Sequence, residues 1–230
     1  MLIDNYNDVD TRVASACRRS GRQRDEITLI AVSKTKPAED IATLYNHGVR
    51  DFGENKVQEL TEKYEKLPKD IRWHLIGHLQ TNKVKYIVDK VYLIHSVDSL
   101  KLAEQIEKEA CKRNITVNIL IQVNVSNEDT KFGLDKEETI KNVEAISKLP
   151  HIRIKGLMTI APFVENGEEN RKYFNELKQL SVDIQKKNID NVCMDFLSMG
   201  MSGDYEAAIE EGATLIRVGT SIFGMRNYNI

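Results

Sequence analysis

Lys34 stands directly behind the run Ile27-Thr28-Leu29-Ile30-Ala31-Val32-Ser33. A lysine there is either a solvated loop charge or an amine held at the edge of a core. Burial would lower its pKa and expose a neutral, nucleophilic amine, the form that condenses with an aldehyde to an imine. In an average protein the solvated reading is the commoner one. Lys36, two residues on and just before Pro37, reads as a lysine facing water.

Near the other end of the chain, Ser198-Met199-Gly200-Met201-Ser202-Gly203-Asp204 and Arg217-Val218-Gly219-Thr220 are rich in small residues. Small side chains let backbone N–H groups approach an anion, and a helix opening behind the first segment adds partial positive charge. The plainer reading is turn chemistry with a helix cap at Ser202 or Asp204. Asp204 and Glu206 weigh slightly against an anion there. Arg217 is harder to read as ordinary. Alternation in Thr214-Leu215-Ile216-Arg217-Val218 puts it on one face with Leu215 and Gly219. If that face is interior, its permanent charge needs a partner, either a carboxylate or a ligand atom such as a ring nitrogen.

His74 and His78, in WHLIGHLQTNK, have a four-residue spacing that can bind metal when a helix carries HExxH. Here the glutamate is missing and Gly77 interrupts what reads as a strand end. A structural role or a contact near that end fits better. Gly53-Glu54-Asn55 closes another strand and by itself reads as a helix-capping loop.

Bringing such distant residues together requires a fold that gathers strand ends. Apolar runs of strand length alternate with amphipathic segments of helix length almost throughout. Residues 4–19 read as a leading helix, with Tyr6, Val9, Val13 and Cys17 near a helical period. Strands are predicted at 27–32, 49–53, 73–77, 91–95, 117–125, 154–159, 194–198 and 214–219. Helices are predicted from Pro37, which suits a first turn, to about Gly48, and at 56–66, 82–89, 99–114, 136–149, 168–188 and 204–211. Alternating strands and helices imply parallel pairing through right-handed crossovers. Eight units in this length predict an α/β fold, a single (β/α)8 TIM barrel with an additional N-terminal helix. Its functional groups would gather where the strands end, and its phosphate sites after strands seven and eight. An open doubly wound sheet is the rival, although no GxGxxG follows the first strand.

Composition narrows the function classes. The 230 residues are 41% hydrophobic and 30% charged with a formal net charge of -2, enough apolar material for one core. No basic block suggests nucleic acid, and no apolar stretch approaches the roughly 20 residues that span a bilayer. The start, MLIDNYNDVDTRV, lacks the features of a signal peptide. Cys17, Cys111 and Cys193 lie far apart, which suits reduced thiols. The expectation is a soluble cytoplasmic chain forming one domain over residues 1–230.

Six segments sharpen this reading: AVSKTKP, FGENKVQE, WHLIGHLQTNK, IKGLMTI, LSMGMSGDYEAAI and IRVGTSIFG. In this order, from about residue 31 to 224, they closely resemble the pyridoxal phosphate homeostasis protein family, whose barrel is similar to the N-terminal domain of bacterial alanine racemase. The resemblance implies pyridoxal 5'-phosphate in the barrel mouth, held as an internal aldimine, a Schiff base on Lys34. It implies that Arg217 hydrogen-bonds the pyridine nitrogen and leaves it unprotonated. It assigns phosphate binding to Ser198, Met201, Ser202, Gly219 and Thr220, and places Asn55 and Met158 near the ring. His78 and Gly203 depart from the family pattern without threatening cofactor binding.

No residue is assigned a catalytic role and no metal is expected. A two-base racemase needs acid/base groups on both faces of its reacting centre. The larger racemases draw one of these from a further domain and a partner subunit, for which the chain after the eighth strand leaves no room. The favoured expectation is therefore a monomer that buffers or delivers the cofactor, touching PLP-dependent apo-enzymes transiently. A low-activity PLP-dependent racemase is the alternative. A Schiff-base aldolase acting on a phosphorylated sugar would explain the lysine and the phosphate loops, but not Arg217.

Overall fold

A computed structural model describes residues 1–126 and 132–225. Eight parallel strands close on themselves: β1 (Thr28–Val32), β2 (Asp51–Glu54), β3 (Arg72–Leu75), β4 (Leu93–Val97), β5 (Val117–Gln122), β6 (Ile152–Met158), β7 (Val192–Ser198) and β8 (Leu215–Val218). Closure removes the open-sheet rival, since Ala31 of β1 faces both Phe52 of β2 and Val218 of β8.

Helices α1 (Leu2–Arg19), α2 (Ala38–Asn46), α3 (Val57–Lys66), α4 (Leu100–Arg113), α5 (Lys136–Ile146), α6 (Arg171–Lys186), α7 (Tyr205–Glu210) and α8 (Thr220–Phe223) surround the barrel. The helix expected at 82–89 is instead a 3-10 turn, Thr81–Tyr86. Val84, Ile87 and Val88 are buried there, and such β-branched residues crowd an α-helical turn. The segment expected to be helical from residue 168 likewise begins as a 3-10 turn at Gly167–Asn170. The leading helix α1 buries Val9, Val13, Ala16 and Cys17. It lies along α7 and α8, with the Asn5 amide donating to the Ile222 carbonyl at 3.0 Å.

Strand alternation divides the apolar residues into two cores. Leu29, Ala31, Ile94, Ile119, Ile121, Leu157, Ile216 and Val218 face the helices. Ile30, Leu93, Leu120, Met158 and Leu215 fill the barrel interior, with Phe196 packed against them. The same alternation sends polar side chains inward: His74, His95 and Ser198 are 0% exposed and Arg217 is 4% exposed. All three cysteines are unpaired. Among the described residues no helix is long and apolar enough to cross a membrane.

Candidate functional site

A cleft of about 670 Å3 opens at the carboxyl ends of the strands. Seven of the residues singled out in the sequence line it: Lys34, Asn55, Met201, Ser202, Arg217, Gly219 and Thr220. Met158 and Ser198 do not. Met158 is wholly buried in the interior core, and the Ser198 hydroxyl is engaged with Arg217 and His95. The side chain assigned to phosphate at Ser198 is thus turned inward, because position 198 shares the interior register.

Lys34 is half-buried on a tight turn that continues β1. The Lys36 N–H donates to the Ser33 carbonyl at 3.0 Å, and Thr35 adopts φ 64°, unfavourable for a β-branched residue. A buried ion cluster holds this turn. The Lys63 ammonium, from α3, donates to the Ser33 carbonyl at 2.8 Å and to Glu54 and Glu59 at 2.7 Å each. The Ser33 hydroxyl donates to Glu54 at 2.6 Å, and the Thr35 N–H to Glu59 at 2.6 Å. Burial pushes the Glu54 carboxyl up against the opposing effect of Lys63. Lys36, read from sequence as facing water, is instead half-buried with its ammonium on the Phe223 carbonyl at 2.8 Å. The end of α8 comes close enough to use it.

The adjoining wall, beside β1, is built from the turns after β7 and β8. Gly200 has φ 88°, and a Cβ there would lie 2.6 Å from the Ala208 Cβ and 2.9 Å from the Tyr205 Cα. Only glycine lets this turn fold back on α7. The Gly219 N–H donates to the Ser202 hydroxyl at 3.3 Å and ties the two turns together. Asp204 is turned back into its own loop, accepting from the Met201 N–H at 2.7 Å and the Asn170 amide at 2.8 Å. Glu206 points to Arg12 and Arg19 on α1. Thr220 and Ser221 open α8, whose first N–H groups have no partner inside the helix.

Arg217 forms the floor. Its guanidinium donates to the Ser198 hydroxyl at 2.5 Å and the Thr159 carbonyl at 2.7 Å. Burial pulls its pKa down to about 10, Asp204 opposing the fall. It therefore keeps its charge at neutral pH, and among the described residues it forms no ion pair. Behind it, Ser198 meets His95 Nδ1 at 2.8 Å, and His95 Nε2 meets His74 Nδ1 at 2.9 Å. His78 lies elsewhere, exposed, 3.3 Å from Asp98 and stacked on Phe132.

The family description "alanine racemase, N-terminal domain" matches residues 11–227. The pyridoxal phosphate homeostasis protein of Aquifex aeolicus (strain VF5) is 49% identical over 218 residues, covering 94% of this chain and 95% of that protein. This chain belongs to the pyridoxal phosphate homeostasis protein family. The family's Haemophilus influenzae protein is 36% identical over 228 residues, covering 98% of this chain and 96% of that one. PipY of Synechococcus elongatus PCC7942, solved with PLP bound, matches with a TM-score of 0.82 at 37% identity, covering 94% and 100% of the two chains. An alanine racemase of Clostridium difficile 630 matches at 0.76 with 16% identity, over 99% of this chain and 57% of that one. That last likeness is one of fold.

Within this family member, sequence reasoning missed His95, Thr159, Glu59 and Lys63, and read Glu54 only as part of a turn. His95 carried a signal, since it lies two residues from the inward Leu93. Lys63 carried one signal, its four-residue spacing from Glu59 on α3, but its other partners lie on β2 and in the turn after β1.

Proposed function

We propose that this protein binds pyridoxal 5'-phosphate in the cleft through a Schiff base on Lys34. In the cytoplasm it then buffers or delivers the cofactor as a monomer in transient contact with recipient apo-enzymes. The observation that carries the reading is one cleft holding Lys34 on one wall, the Arg217 guanidinium as floor and the joined Ser202 and Gly219 turns beside them. Pyridoxal phosphate supplies an aldehyde, an aromatic ring nitrogen and a phosphate dianion, and these three features match the three parts of the cleft. Lys34 would supply the amine that holds the aldehyde. Arg217, a donor only, would give a hydrogen bond to the ring nitrogen while keeping its own proton. The Ser202 and Thr220 hydroxyls, with the backbone of the small-residue turns after β7 and β8, would hold the phosphate.

The lining also favours handling over turnover. Among the described residues, the titratable side chains lining the cleft are Lys34, Asp204 and Arg217. Asp204 is committed to Met201 and Asn170, and Arg217 holds its proton too firmly to exchange it. Two-face proton transfer would need a second base within reach. An incubation of loaded protein with D- and L-amino acids, and separately with an apo-enzyme, tests this. Transfer of cofactor without racemisation is expected, whereas multiple-turnover racemisation would overturn the handling role.

A further inference from the structure

Beneath the cleft, an unbroken file of polar groups crosses the barrel interior. Arg217 Nη1 donates to the Ser198 hydroxyl at 2.5 Å, Ser198 meets His95 Nδ1 at 2.8 Å, and His95 Nε2 meets His74 Nδ1 at 2.9 Å. His74 Nε2 then meets the Asp51 carboxylate at 3.0 Å. The file ends where Arg72, half exposed at the amino-terminal side of the barrel, donates to Asp51 at 2.8 Å. Ser198, His95 and His74 are each 0% exposed.

The two ends dictate where every proton lies. A guanidinium can only donate, so Ser198 accepts from Arg217 and its own proton goes to His95 Nδ1. An ionised carboxylate can only accept, so His74 Nε2 carries a proton and gives it to Asp51. Asp51 is ionised, since bonds from Arg72 and His74 outweigh burial and hold it at about 2. With both imidazoles neutral, His95 Nε2–H must donate to His74 Nδ1. The assignment from either end is the same. An extra proton on either ring would reverse a link, leave the Ser198 hydroxyl proton without an acceptor, and add a second buried cation near Arg217.

The charged and titratable groups around the rings agree with neutrality. His74 faces Asp51, Arg72, His95 and the edge of Tyr92; His95 faces His74, Ser198 and Arg217. Burial pulls both imidazoles below the ordinary histidine range.

We propose that Ser198, His95, His74 and Asp51 are positioning residues for Arg217, acting as one hydrogen-bonded chain whose protons all point from Arg217 towards Asp51. The chain leaves the Ser198 oxygen a single orientation, which holds the guanidinium under the cleft. The effect on the ligand rests on the pyridoxal phosphate reading; the chain itself does not.

Two measurements separate these. In protein free of cofactor, nitrogen-15 NMR of labelled histidine reads tautomer and charge directly. His74 and His95 are expected as neutral Nε2–H tautomers without titration between about pH 5.5 and 8, where an ordinary histidine titrates. An Nδ1–H tautomer, or an ordinary histidine midpoint at either ring, would overturn the one-way chain whatever the ligand proves to be. In protein loaded with pyridoxal phosphate, Ser198→Ala and His95→Leu each break the file. Each is expected to raise the dissociation constant about ten-fold, about 1.4 kcal/mol, and to make the cofactor's absorption band move with pH. His95→Gln, with an acceptor for Ser198 and a donor for His74, is expected to restore wild-type binding and a pH-independent band. Equal damage from Leu and Gln at position 95 would reduce the role to packing and overturn the positioning claim, as would wild-type behaviour in Ser198→Ala.

Discussion

A buried guanidinium that forms no ion pair among the described residues is an unusual floor for a cleft, and Arg217 explains its place through what it touches. Its hydrogen bonds go to a hydroxyl and a carbonyl, both neutral, so its charge is available to whatever lies above. Arg217→Gln is expected to weaken pyridoxal phosphate binding by roughly ten- to hundred-fold, since bonds to charged groups contribute about 1.5–3 kcal/mol; equilibrium titration by absorbance measures it. Asp51, at the other end of the interior file, makes a stability claim. Its carboxyl falls from 3.8 to about 2 on folding. The stability it contributes is present above about pH 4 and lost as pH falls towards 2, about 2 kcal/mol in all. Urea unfolding of Asp51→Asn should show a deficit of that size at pH 7 that closes as acid protonates Asp51 in the wild type.

Elements set these residues at their distances, and two junctions carry most of that work. The first joins β1, β2 and α3 through Lys63, which meets Glu54, Glu59 and the Ser33 carbonyl. Lys63→Met would strand a buried carboxylate, and breaking such a pair costs about 3–5 kcal/mol. Denaturant unfolding should show that loss together with weaker attachment at Lys34. The second is the β7–α7 turn, where Gly200→Ala pushes a methyl group into Ala208 and Tyr205 at positive φ. It is expected to cost about 1–3 kcal/mol and to weaken cofactor binding by displacing Ser202. The alternating strands were legible in the sequence because a two-residue period marks each inner face, and that period also put Arg217 inside. The Lys63 junction was legible only in its Glu59 spacing, because Glu54 and the Ser33 carbonyl are brought to it by folding. Lys36 was misread for the same reason, as its partner is the end of α8. Residues 82–89 kept their apolar spacing but wind more tightly, because β-branched side chains oppose an α-helical turn.

The whole molecule answers to pH through its interior as well as its mouth. His74 and His95 lie below the ordinary histidine range when folded, burial being the main cause. A depressed folded pKa gives stability that is present above the unfolded value of about 6.5 and lost as pH falls below it. Stability should therefore decline from about pH 6.5 downward, well before Asp51 contributes, and His95→Gln should flatten the upper part of that decline. The ion pairs of Arg12 and Arg19 with Glu206 and Glu210 are exposed and should add little to it. Closure of the barrel is what brings β1 beside β8, so that Ile30 pairs with Arg217 and the turn bearing Lys34 meets the floor and phosphate wall. The proposed function requires a covalent hold on the cofactor at Lys34. Borohydride reduction of the loaded protein, followed by mass spectrometric mapping of its peptides, tests it most directly. The expected result is a single reduced pyridoxyl adduct on Lys34 that Lys34→Ala abolishes; an adduct on Lys36, Lys63 or any other lysine that survives that substitution would contradict it.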